Sequence, residues 1–175
     1  STVTVSFQVL PNPGTSTNIT VCEDDPAFNL ITLMGPGAVE GGWLFGGSAV
    51  GNSFIPGVSL PGVYTNVVVT APCTASATLT INVTPTPNAG ADNTVSFCET
   101  LGNIDLTSNL GGNPTGGGIW TDASGTVVLN TFNLSGLCGN SYVYTYTVAN
   151  GSCTASSTLT FDVICAPDAG PDGSI

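Results

Sequence analysis

The chain has 175 residues, 41% hydrophobic and only 6% charged, with eight Asp and three Glu but no Lys, Arg or His, so its formal net charge is −11. Nothing in it can neutralise phosphates, which excludes binding of nucleic acid or anionic headgroups. The imidazole base, the Schiff-base lysine and the Ser-His-Asp or Cys-His pair are also absent, so the chain is read as non-enzymatic. Enough apolar residues are present to rule out a disordered acidic tail. No stretch offers the roughly 20 continuous apolar residues of a membrane-spanning helix.

In chain order, Val3, Val5 and Phe7 alternate with Thr and Ser in the opening STVTVSF, the pattern of a half-buried strand. The same alternation returns at Leu79, Ile81 and Val83, and again at Leu159, Phe161 and Val163. It also appears at Tyr142, Tyr144, Tyr146 and Val148, ahead of the turn residues Asn150-Gly151. Gly and Pro clusters punctuate the chain between these runs, and no segment has helical periodicity with caps.

These runs belong to an internal repeat. CTASATLTINV at 73–83 matches CTASSTLTFDV at 153–163, an offset of 153 − 73 = 80. TPNAGAD at 86–92 matches APDAGPD at 166–172. Upstream, PNPG at 11–14 matches PNAG at 87–90, and Cys22 matches Cys98, an offset of 98 − 22 = 76. Trp43 after Gly41-Gly42 corresponds to Trp120 after Gly117-Gly118, and Tyr64 to Tyr144. The drift places about four extra residues in the second copy, before Tyr144. The expected organisation is a terminal strand of a preceding repeat at 1–10, repeat one at 11–86, repeat two at 87–166 and the start of another at 167–175. About seven short strands per repeat predict an all-β chain of tandem immunoglobulin-like β-sandwiches, each of about 76–80 residues.

Six cysteines occur without the close C-x-x-C pairs of a zinc site, so they read as disulfides of an oxidising, extracellular compartment. Repeat symmetry suggests Cys22–Cys73 and Cys98–Cys153, leaving Cys138 with Cys165. Among the acids, Glu23, Asp24 and Asp25 follow Cys22, while Asp92, Asp168 and Asp172 sit at the repeat junctions. No cofactor is expected unless the junction carboxylates hold calcium, but the spacing of a calcium loop is missing; turn formation by Asp accounts for them with fewer assumptions. Trp43 and Trp120 are either carbohydrate platforms or core residues, and recurrence at one position favours the core, together with Tyr64 and Tyr144. Four N-x-S/T sequons lie at Asn18, Asn82, Asn133 and Asn150.

The combination of P-N-A-G-A-D, an early Cys, G-G-x-W or G-W, V-Y-T-Y-T-V and C-T-A-S-x-T-L-T-x-x-V resembles the immunoglobulin-like repeats of large Bacteroidetes cell-surface adhesins, the SprB-like, type IX-secreted proteins of gliding motility. The resemblance implies a structural or adhesive segment of a long secreted surface filament. Its partners would be neighbouring repeats of the same chain and a polysaccharide or other substratum. Two other readings are a carbohydrate-binding or spacer module of a secreted hydrolase, and a pilus-like subunit in which STVTVSF completes a neighbouring molecule by strand addition. Without Lys or Arg, this segment offers trypsin no cleavage site.

Overall fold

The Thr-rich alternations at 78–83 and 158–163 become the longest strands of the molecule. A computed structural model, which describes residues 2–3 and 8–167, divides the chain into two units between Pro85 and Thr86. Apart from Thr2 and Val3, the STVTVSF run lies outside the described residues, as do Asp168 and Asp172.

In unit one, β1 (Thr17–Cys22) runs parallel to β7 (Cys73–Thr84), with Cys22 beside Thr84. Antiparallel to β7 lies β6 (Gly62–Thr70), followed outward by β3 (Gly42–Phe45) and β4 (Ser48–Val50). A small second sheet pairs β2 (Phe28–Asn29) with β5 (Ser53–Phe54). Leu30, Trp43, Phe54, Tyr64, Leu79 and Ile81 close the core between the sheets. Because β strands alternate faces, one apolar residue in two is all this core requires, and Thr fills the outward positions.

Unit two repeats the arrangement. Its five-stranded sheet has the order β11-β10-β13-β14-β8, built from β8 (Asn93–Cys98), β10 (Ile119–Asp122), β11 (Val127–Val128), β13 (Ser141–Asn150) and β14 (Cys153–Ile164). Opposite it, β9 (Asn103–Asp105) pairs with β12 (Thr131–Asn133). Phe161 is fully buried here where unit one has Ile81, and its ring meets Phe97, Phe132, Tyr142 and Tyr144 with centroids 5.3–5.9 Å away. Seven strands in two facing sheets make each unit an immunoglobulin-like β-sandwich. The Tyr64 hydroxyl donates to the Leu60 carbonyl four residues earlier at 2.8 Å, the tyrosine corner of that architecture.

Register locates the extra residues of unit two. Trp43 aligns with Trp120 (120 − 43 = 77), Asn52 with Asn130 (130 − 52 = 78) and Tyr64 with Tyr144 (144 − 64 = 80). The four are spread over three loops, and the last two fall in the connection that carries Cys138. Loops accept such insertions at little entropic cost, so the strand order stays unchanged.

The recurring P-N-x-G motif opens each sandwich. Asn12 Oδ1 accepts from Gly14 N while its amide donates to the Gly37 carbonyl; Asn88 does the same with Gly90 N and the Gly112 carbonyl. Gly14 and Gly90 have φ of 96° and 87°, and a Cβ at either would lie about as close as 2.5–2.6 Å to Met34 Cβ or the Gly111 carbonyl. The final Gly is therefore fixed both by conformation and by space.

Candidate functional site

The cysteines that recur in both units lie at the ends of each sandwich. Since β1 and β7 run in the same direction, each unit has a leading end, where β1 starts, and a trailing end, where both strands finish. Cys22 closes β1 at the trailing end, beside Thr84. Cys73 opens β7 in the hairpin at the leading end, opposite Thr70. Unit two repeats this: Cys98 lies beside Ile164 at the trailing end and Cys153 opposite Asn150 at the leading end.

This corrects the pairing that repeat symmetry suggests. Along β7, Cys73 is 84 − 73 = 11 residues from the partner of Cys22, or about 36 Å at strand rise. Disulfide formation tolerates a Cα separation of about 7 Å at most. Cys22–Cys73 and Cys98–Cys153 are therefore ruled out within a unit: Cys73 and Cys98 are free thiols, Cys98 exposed and Cys73 half-buried. Cys22 and Cys153 are each disulfide-bonded. Cys138 and Cys165 form a disulfide with a Cα separation of 4.6 Å, closing 27 residues of unit two. A loop of that length stabilises by about 3.5 kcal/mol in the chain-entropy model. It binds the loop before β13 to the end of β14, where Gly139 N also donates to the Val163 carbonyl.

Trp43 and Trp120 are each only 3% exposed, so neither offers a face for a sugar ring to stack on. Their indole nitrogens fare differently. Trp120 Nε1 donates to Thr107 Oγ1 at 3.1 Å, and that hydroxyl donates in turn to Asn130 Oδ1. Unit one has Ile31 at the equivalent place, and Trp43 Nε1 is buried without a hydrogen-bond partner among the described residues. Thr107→Val, close to isosteric, is expected to lower the stability of unit two by about 1–2 kcal/mol by orphaning the indole. The measurement is the urea midpoint at unchanged m-value; an unmoved midpoint contradicts the assignment.

Several of the acids are occupied with the backbone. Asp92 Oδ1 accepts from Thr158 N at 2.7 Å, and in unit one Ser16 Oγ accepts from Thr78 N at 3.0 Å. Asp25 Oδ2 accepts from Cys22 N. Asp122 accepts from the Ser124 hydroxyl and from the Ser124 and Thr126 amides, across the β10–β11 turn. The Ser124 hydroxyl first, then the Thr126 amide, holds its carboxyl below the usual aspartate range. Among the described residues no group of three acids or cysteines is placed to hold a metal ion. Asn82 of the second sequon donates to Asn18 of the first, so those two bridge β1 and β7.

Burial raises the pKa of Tyr64, and burial followed by the charges of Tyr142 and Asp122 raises that of Tyr144. The folded protein thus holds both phenols protonated beyond the unfolded value of about 10. Their contribution to stability is complete below that pH and is lost as pH rises through the folded-state values. Melting temperature is expected to be flat from about pH 7 to 9 and to fall above about 10. Calorimetry across that range checks it, and a flat profile to about pH 12 contradicts it.

Two residues outside the sequence expectations organise the Gly-rich loops before the tryptophans. Asn66, 0% exposed on the inward face of β6, accepts from Gly41 N and donates to the Pro13 and Val39 carbonyls. Tyr146 holds the same register place in unit two; its hydroxyl accepts from Gly118 N and donates to the Thr115 carbonyl. The signal was present: Asn66 is a polar residue in phase with the inward Tyr64 and Val68.

The two units are immunoglobulin-like β-sandwiches whose recurring cysteines sit at their ends. No known protein family matches the sequence, and no curated protein does. Among solved structures, the chain is similar to immunoglobulin domains 1–4 of Sidekick-1, with TM-score 0.43 and 12% identity over 87% of this chain and 47% of that one. Domains 1–5 of Sidekick-1 match with TM-score 0.30 and 17% identity, over 97% of this chain and 39% of that one. The chain thus spans less than half the length of these structures.

Proposed function

We propose that the chain is a structural or adhesive segment of a long secreted surface filament, of the kind formed by gliding-motility adhesins, with no catalytic role. The observation that carries this reading is the parallel pairing of first and last strands in both units, β1 with β7 and β8 with β14. A chain that enters each sandwich at one end and leaves at the other is suited to stringing copies end to end. Disulfide-bonded cysteines support an extracellular location. No helix among the described residues is long and apolar enough to cross a membrane.

A segment of this kind bears load. Force-extension measurements on the whole chain, held at its termini in reductant, are expected to show two separate unfolding events. Each should lengthen the chain by about 25 nm, from some 75 residues at up to about 3.6 Å each. Continuous extension without discrete events overturns the reading. The filament reading also assigns no resident cation: the backbone amides already engage Asp92 and Asp25. Adding a strong chelator is expected to leave both the melting temperature and the unfolding force unchanged; a drop in either would assign calcium a rigidifying role.

A further inference from the structure

Besides the Cys138–Cys165 pair of unit two, each sandwich carries one recurring cysteine at each end, and the strand register keeps those two too far apart to bond within a unit. Both positions nevertheless form disulfides in this fold. Cys22, at the trailing-end position, is disulfide-bonded, and so is Cys153, at the leading-end position. Their repeat equivalents, Cys98 and Cys73, occupy the same register places and carry free thiols. The same site is thus oxidised in one copy and open in the other.

We propose that Cys98 and Cys73 are half-cystines that join this chain to further copies of the same unit. Cys98 bonds the leading-end cysteine of one copy, and Cys73 bonds the trailing-end cysteine of another. The partner is specified by complementarity of ends: a trailing-end thiol meets a leading-end thiol, as in any head-to-tail, heterologous contact. This inference rests on the reading of the chain as a tandem-repeat segment. It adds covalent staples to further copies, so that a pulling force crosses the joints made by Cys98 and Cys73 through a disulfide as well as through the connecting peptide.

The chemistry needs an oxidant of the disulfide class, protein or small molecule. One repeat thiolate attacks it, giving a mixed disulfide and releasing one thiol; the second repeat thiolate then displaces the other half. One sulfur–sulfur bond forms between the repeats, one breaks in the oxidant, and the oxidant leaves as two thiols. Exposure of Cys98 allows the first attack.

The test uses the 175-residue chain in two variants, Cys73→Ser and Cys98→Ser, each left with one of the two free thiols. One is labelled with heavy nitrogen, and equal amounts are mixed in a buffer of reduced and oxidised glutathione. Dimers are separated without reductant, weighed intact, and mapped after cleavage at aspartate, since trypsin has no site. The expected result is a Cys98–Cys73 heterodimer well above the one half that random collision gives. A random share overturns the proposal. So does the absence of dimers when a thiol reagent titrates both variants fully and tryptophan emission shows them folded. Force-induced unfolding depends on neither thiol, so the filament reading stands or falls separately.

Discussion

Replacing Phe161 with Ala is expected to cost unit two about 3–5 kcal/mol, the range for removing a buried aromatic ring. The ring is fully buried and in contact with four others, so its loss leaves a cavity that cannot collapse without moving Phe97, Phe132, Tyr142 and Tyr144 together. Phe161→Ile, which copies Ile81 of unit one, is expected to cost roughly half as much, because more of the volume is retained. Trp120, the tryptophan of unit two, reports the transition by its fluorescence in urea. Equal midpoints for wild type and Phe161→Ala would show that the buried ring contributes nothing to the stability of unit two. Aromatic pairs add about 0.5–1.5 kcal/mol each by geometry, so that outcome is not expected.

Asn66→Leu is expected to destabilise unit one by about 3 kcal/mol despite preserving side-chain volume. Three backbone groups lose their partner at once: Gly41 N and the Pro13 and Val39 carbonyls. Each buried group left unsatisfied costs about 1–3 kcal/mol, partly relieved where the loop opens to water. No polar alternative is at hand, because Gly41 sits so close to β6 that even a methyl group there would strike the Val67 carbonyl. Asn66→Asp keeps the acceptor for Gly41 but turns a carboxylate toward two carbonyl oxygens. That variant should be less stable at pH 7 than at a pH where the carboxyl is protonated. The readout is the urea midpoint of the Trp43 transition, and a change below about 1 kcal/mol would show that water replaces the amide without loss.

The comparison of Asn66 with Tyr146 shows what the repeat reveals and what it hides. The two residues share no chemistry beyond a donor and an acceptor, yet each fastens the loop before its tryptophan. Matching by residue identity passes over them, since a short amide near the backbone and a long phenol reaching it solve the same problem. A polar residue in phase with buried neighbours was the available clue. Thr107 and Ile31 make the converse case: equivalent places in the fold, with a hydroxyl that satisfies an indole in one unit and none in the other.

Asp92 has a role that its sequence place did not announce. The junction suggested a local turn or a cation, whereas the carboxylate accepts from the Thr158 amide, 158 − 92 = 66 residues along the chain. Unit one has Ser16 at that point, which shows that an oxygen acceptor rather than a charge is what the strand needs.

Composition alone removed cationic and imidazole chemistry from this protein, and the period-two alternation with its recurrence 76–80 residues later determined strands, copies and sandwich class. Those are local or self-similar properties, written in consecutive residues. Cysteine pairing was decided only by the tertiary structure. Equal spacing in two copies made Cys22–Cys73 the simplest choice, yet spacing does not say whether two strands run parallel or where their ends fall. The parallel register of β1 against β7 places those sulfurs at opposite ends of a strand 12 residues long, about 36 Å apart. Hydrogen-bonded register, a property of strands distant in sequence, turned an expected internal staple into a free thiol at one end of a sandwich.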